Sequence, residues 1–146
     1  MESKRVSFSL IIVLFCSFFF TVVLSTAERS LEEVETEALK AFKNGITSDT
    51  LGALADWNDT NQIHHCNWSG ITCNSSSKHV TAIKLVDKQL QGQISPFLGN
   101  LSALQVLDLS LNSFSGSIPA QLGQCSQLAE LTLYYNSLSG SIPPEI

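Results

Sequence analysis

Apolar residues recur along the second half of the chain in the alternating form L-x-L, and each such pair is followed at fixed distances by Asn, Gly, Ile and Pro. The line LSALQVLDLSLNSFSGSIPAQL, starting at Leu101, lies over CSQLAELTLYYNSLSGSIPPEI, starting at Cys125, with half of the 22 aligned positions identical and an offset of 24 residues. Leu104, Leu107, Leu109, Asn112, Phe114, Gly116, Ile118, Pro119 and Leu122 meet Leu128, Leu131, Leu133, Asn136, Leu138, Gly140, Ile142, Pro143 and Ile146. Stepping back by the same offset keeps the register in Val80, Ile83, Leu85, Leu90, Gly92, Ile94 and Leu98. Alternate residues of a strand face the same way, so Leu107 and Leu109 enter a core while Val106, Asp108 and Ser110 face outward. The pattern predicts an α/β solenoid of about three coils, the last truncated, each giving one strand to a parallel sheet.

The other fixed positions have mechanical roles. Asn112 and Asn136 end the strands where the chain turns inward, and a buried amide there can satisfy backbone groups of its own coil and the next. Gly116 and Gly140 permit backbone geometry closed to other residues, Ile118 and Ile142 return to the core, and Pro119 and Pro143 stiffen the far side. No coil buries its own leucines alone, so stability arises between neighbours and the first and last coils need caps.

The segment before the coils supplies such a cap. SLEEVETEALKAFKNGI predicts an amphipathic helix, with Ser30 and Glu33 in capping-box spacing, Leu31, Val34, Ala38, Leu39, Phe42 and Ile46 on one face, and a stop at Gly45. Glu32, Glu33, Glu35 and Glu37 are expected to form its solvated face. A second short helical piece, DTLGALADW, would bring Leu51, Leu54 and Trp57 to one side. Cys66 and Cys73 then bound a small hairpin carrying Trp68, and the two tryptophans would cover the open edge of the first coil.

The apolar run at the other end has a different meaning. Lys4 and Arg5 precede a near-unbroken apolar stretch from Val6 to Leu24, followed by small residues at Ser25 and Ala27, which reads as a secretory signal over residues 1–27. An uncleaved membrane anchor is the alternative, since the run would just span a bilayer. Removing that segment takes away one acid and two bases and moves the formal charge from −5 to −6. The remaining basic residues are scattered, which argues against nucleic acid as a partner. In an oxidising compartment Cys66 and Cys73 have the spacing of a disulfide. Zinc held by His64, His65 and the two thiols is the competing reading, weakened because adjacent histidines should diverge. Cys125 sits at an apolar position of the repeat and reads as a buried free thiol. Sequons at Asn58, Asn67, Asn74 and Asn100 suggest a glycoprotein whose sequon faces are wet. The reading divides the chain into a signal (1–27), a cap (28–76) and repeats (77–146).

The order of these motifs resembles plant-type leucine-rich-repeat receptor kinases. The likeness is carried by Glu35, Ala38, Leu39, Lys40, Phe42 and Lys43, by Asp56 and Trp57, by Cys66, Trp68, Gly70, Ile71 and Cys73, and by the coils themselves. Within that family the phrases EALKAFKNGI, LGALADW, HCNWSGITC and LQVLDLSLNSFSGSIPA are most similar to flagellin-sensing immune receptors. The resemblance implies a plasma-membrane receptor with a long ectodomain facing the cell exterior, one membrane helix and a cytosolic Ser/Thr kinase. Its implied partners are a peptide or protein ligand and a co-receptor kinase, and no cofactor is implied. Lys88 stands at the ladder position held by Asn112 and Asn136, and Ser95 replaces the coil proline. The chain reads as the front of a longer product, because it reaches Ile146 inside the third coil without kinase motifs. Outward strand positions (Ala82, Lys84, Val86 and Asp87; Val106, Asp108, Ser110 and Leu111; Glu130, Thr132, Tyr134 and Tyr135) would form the ligand surface, with Tyr134, Tyr135, Thr132 and Asp108 as its leading candidates. A secreted inhibitor of cell-wall polygalacturonases, built from the same cap and coils, is the alternative. Enzymatic chemistry through these residues is not expected, since His64, His65 and His79 have no Ser/His/Asp spacing around them.

Overall fold

A computed structural model of the protein describes residues 31–58 and 63–146. The expected signal and Ser30 of the expected capping box lie outside the described residues. Val34–Ile146 forms one compact unit.

Helix α1 spans residues 31–44. Its buried stripe is Glu35, Ala38, Leu39 and Phe42, which is the i, i+3, i+4, i+7 spacing of one helical face. Two expectations fail here. Leu31 and Val34 are 47% and 41% exposed, whereas Glu35, expected in solvent, is 2% exposed. A carboxylate can take an apolar position when it has partners, and Glu35 accepts a hydrogen bond from the backbone N–H of Val80 at 3.2 Å. Ile46 belongs to strand β1, Ile46–Asp49, and not to the helix. The stretch after it folds as successive turns instead of a second helix. Asp49 organises them by accepting from the backbone N–H groups of Ala53 and Leu54 at 2.8 and 2.9 Å, and Gly52 sits at φ 65°. Leu54 and Trp57 turn inward while Leu51 stays out.

The two tryptophans close the cap as expected. Trp57 and Trp68 stack with ring centroids 5.7 Å apart. Phe42 touches Trp57 on one side and Phe114 of the second coil on the other, each at 5.9 Å. Both buried indoles donate to backbone carbonyls, Trp57 to Ser69 and Trp68 to Ile63. The Cys66–Cys73 disulfide is present. It joins a single 3-10 turn, His65–Asn67, to strand β2, Ile71–Cys73, so the stapled element is a turn and a strand and not a hairpin.

The repeat folds in the predicted register. Strands β3 (Val80–Lys84), β5 (Val106–Asp108) and β7 (Glu130–Thr132) run parallel, with Ile83 opposite Leu107 and Leu107 opposite Leu131. Strand β2 closes the cap end of this sheet by pairing antiparallel with β3. Each coil also gives a second strand, against the expectation of one: β4 (Leu90–Gln93), β6 (Ser113–Gly116) and β8 (Ser137–Leu138) form another parallel sheet, closed by antiparallel β1. The alternation in LQGQ and SFSG explains it, since Leu90 and Phe114 are buried while the Gln and Ser side chains flanking them face outward.

Short 3-10 turns, Pro96–Asn100 and Ala120–Gln124, return the chain. Ser95, standing in place of the coil proline, caps the first by accepting from the N–H of Phe97. Within these turns the coils approach so closely that a Cβ added at Gly99 would collide with the carbonyl oxygen of Gln121.

Candidate recognition surface

The ladder asparagines fix the corner between the two sheets. Asn112 Nδ2 donates to the carbonyls of Leu85, Leu109 and Ser110 at 2.7, 3.0 and 3.0 Å, and Oδ1 accepts from the N–H groups of Lys88 and Leu90. Asn136 repeats the pattern one coil on, with Nδ2 on Leu109, Leu133 and Tyr134 and Oδ1 on the N–H of Phe114. Each side chain therefore serves its own coil and the preceding one, where the sequence suggested the next. Coil stacking has a direction because of it.

Beside the ladder lies a column that the sequence did not reveal. Asp87, Leu111 and Tyr135, spaced by the repeat, all adopt left-handed backbone, with φ of 53°, 57° and 53°. Left-handed geometry costs a residue with a Cβ about 1–2 kcal/mol. Here it lets Asp87 N–H reach the carbonyl of Ser110, and Leu111 N–H that of Tyr134. It also turns the side chains out, and Leu111 is 41% and Tyr135 76% exposed.

Of the outward strand positions, two are closed. Ala82, paired beside Thr72 of β2, is buried, and Ser110 is fully buried. The hydroxyl of Ser110 donates to Asp108 Oδ1 at 2.6 Å, and the Ser110 N–H joins it at 3.1 Å, so the Asp108 carboxylate is held in one orientation. Thr132 lies next to Asp108 across the β5–β7 pair. Tyr134, 56% exposed, meets Tyr135 edge to face at 5.4 Å. Asp108, Thr132, Tyr134 and Tyr135 thus share one face.

The histidines do not diverge. The rings of His64 and His65 lie side by side, centroids 4.3 Å apart. Their ring nitrogens and Cys66 Sγ fall within 4.8 Å of one another, but both sulfurs are spent in the disulfide, and a two-thiolate zinc set is lost with them. The same corner holds what the sequence missed: Glu35 lies 3.5 Å from His65 Nε2 and 3.3 Å from His79 Nδ1, while Thr36 Oγ1 and His65 Nδ1 share a hydrogen bond. Helix α1, the 3-10 turn and the start of β3 meet there. Cys125 is a buried thiol donating to the carbonyl of Leu98, and burial pushes its pKa above the ordinary 9.0. Asn67, Asn74 and Asn100 are exposed; Asn58 is half-buried and donates to the carbonyl of Ala55. Among the described residues no helix is long and apolar enough to cross a membrane.

Residues 32–74 match the model of the leucine rich repeat N-terminal domain, and residues 103–125 and 127–146 match that of the Leucine Rich Repeat. The chain folds as a capped leucine-rich-repeat solenoid. It is 42% identical over 83 residues to a probable LRR receptor-like serine/threonine-protein kinase of Arabidopsis thaliana, covering 57% of this chain and 8% of that one. The chain thus spans less than a tenth of that relative. The solved BIR2 ectodomain of Arabidopsis thaliana superposes with a TM-score of 0.69 at 36% identity, over 76% of this chain and 59% of that one. The Arabidopsis receptor kinase HAESA, solved with the peptide hormone IDA and the co-receptor SERK1, superposes with a TM-score of 0.67 at 34% identity, over 75% and 18%. The matched part of this leucine-rich-repeat chain is its cap and coils.

Proposed function

We propose that this chain is the N-terminal cap and first coils of a cell-surface leucine-rich-repeat receptor kinase, a scaffold that recognises a peptide or protein ligand outside the cell. One observation carries the reading. A sheet whose inner face is sealed by Ile83, Leu107 and Leu109 presents Asp108, Thr132, Tyr134 and Tyr135 on its other face, with the strands held in register and the chain just beyond them tied down by the asparagine ladder. The likeness to a solved ectodomain that holds a peptide hormone and a co-receptor supports the same type of partners here. Residues 1–27 would direct export, placing the coils on the outer face of the plasma membrane, with glycans on Asn67, Asn74 and Asn100. The phrases shared with flagellin-sensing receptors support an immune role within this class.

The test uses the full-length gene product in plant cells. Deleting the cap (28–76) should abolish delivery to the surface, because the apolar edge of the first coil loses its cover, whereas Tyr134→Ala with Tyr135→Ala should leave delivery intact and weaken ligand binding. A cap deletion that reaches the surface in normal amount contradicts the reading. A gene that ends in a capped solenoid without membrane helix or kinase motifs supports the secreted inhibitor instead.

A further inference from the structure

The charge along the outward face changes from one coil to the next. Every Lys and Arg of the chain lies at or before residue 88; beyond it the only ionisable side chains of Asp, Glu, Lys or Arg type are Asp108, Glu130 and Glu145. The first coil presents Lys84 and Lys88 as exposed cations around one exposed acid, Asp87. The second and third present only Asp108 and Glu130 on their strands, beside an apolar strip of Leu111, Tyr134 and Tyr135.

The spacing of these groups is set by the sheet. Glu130, Thr132 and Tyr134 are alternate residues of one strand and its extension, about 6.6 Å apart at roughly 3.3 Å per residue. Asp108 stands beside Thr132 in the neighbouring strand, about 4.8 Å away across a parallel pair. Asp108 Oδ1 is engaged by Ser110, which aims the carboxylate, and Glu130 is exposed with its Oε1 near the Thr132 hydroxyl at 3.4 Å. Two acids therefore sit one and two alternate positions from an aromatic pair.

Resting on the recognition reading above, we propose that this face takes an extended peptide with a Lys or Arg placed two or four residues from an aromatic or large aliphatic side chain. The cation lies between Asp108 and Glu130, and the apolar side chain packs between Tyr134, Tyr135 and Leu111. The charge pair steers the peptide and sets its register, because the first coil, with Lys84 and Lys88 against the single acid Asp87, disfavours a basic residue placed one coil too early. The tyrosines supply rigid contact area.

The experiment selects binders from an unbiased library of extended peptides on the full-length ectodomain, in parallel with its Asp108→Asn plus Glu130→Gln variant and its Tyr135→Asn variant. Asn keeps an acceptor for Ser110 and suits left-handed backbone, so equal secretion and a melting temperature no lower than that of the wild type confirm that the variants fold. The expected result is a set of peptides enriched on the wild type, carrying Lys or Arg at that spacing, whose affinity falls about tenfold or more in each variant. For the double-acid variant the loss should shrink as salt is raised from 50 to 500 mM, since screening removes the same attraction from the wild type. Enriched peptides that are neutral or acidic, or basic peptides indifferent to the Asp108/Glu130 change, overturn this proposal and leave the recognition reading standing. A library from which nothing is enriched on the wild type counts against both.

Discussion

Ile83 and Leu85, in the coil next to the cap, are 0% and 1% exposed; Leu131 and Leu133, at the same positions two coils on, are only half-buried, and Ile142 is 73% exposed. The residues are equivalent and the strands are in register, so the difference comes from the neighbours. The first coil lies between a lid of Phe42, Trp57 and Trp68 and the second coil, whereas in this structure the third is covered on one side by β5 and β6. Hydrophobic stabilisation in a solenoid belongs to the interface and not to the coil that supplies the side chain.

The sharpest way to break that contrast is a pair of identical truncations. In the 146-residue chain Leu107→Ala, in a coil covered from both sides, should cost about 2–5 kcal/mol and Leu131→Ala about 1–2 kcal/mol, a gap that a further coil stacked on the third should close. Chemical denaturation of the two variants measures the gap, and equal losses would mean that each coil stabilises itself. Opening the disulfide comes next. Cys66→Ser should destabilise by roughly 2–3 kcal/mol in the chain-entropy model, and the loss should be read at the cap, as exposure of the stacked tryptophans by fluorescence before the sheet melts.

An effect of similar size sharpens the comparison at the ladder. Asn112→Ala strands the N–H groups of Lys88 and Leu90 and the carbonyl of Leu85, for about 2–3 kcal/mol. Asn136→Ala should cost less, about 1–2 kcal/mol, because more of its partners face solvent. Hydrogen exchange at Leu90 and Phe114 distinguishes them. The smallest change is Tyr135→Asn, which relieves left-handed backbone and should be neutral or stabilise by up to about 1 kcal/mol. A clear destabilisation there would show that the exposed ring contributes to the fold.

The repeat was legible because burial in a solenoid is periodic: one offset placed Leu107 against Leu131 and predicted the ladder. The second sheet was hidden because its strands are two to four residues long and contain Gly, Ser and Gln, which read as turns. Glu35 was misplaced for a different reason. A helix pattern sorts residues by polarity, and nothing local says that Val80, 45 positions on, will bring an N–H to that carboxylate. Leu51 failed the opposite test, since Gly52 and the Asp49 carboxylate turned the chain before a helix could carry it inward. On the recognition face, Tyr134 and Tyr135 announced themselves by type, whereas the left-handed column and the burial of Ser110 are backbone facts that composition does not encode.

The tight contact at Gly99 reaches beyond its own turn. The 3-10 turns and the first sheet lie on different sides of each coil, so their relative spacing sets the angle between successive coils. A methyl group there would press on the Gln121 carbonyl and wedge one side open by a fraction of an ångström. Repeated along an array, such a wedge would change the radius of the arc, and a receptor assembled from many units would then present a differently bent groove without altering any residue that lines it.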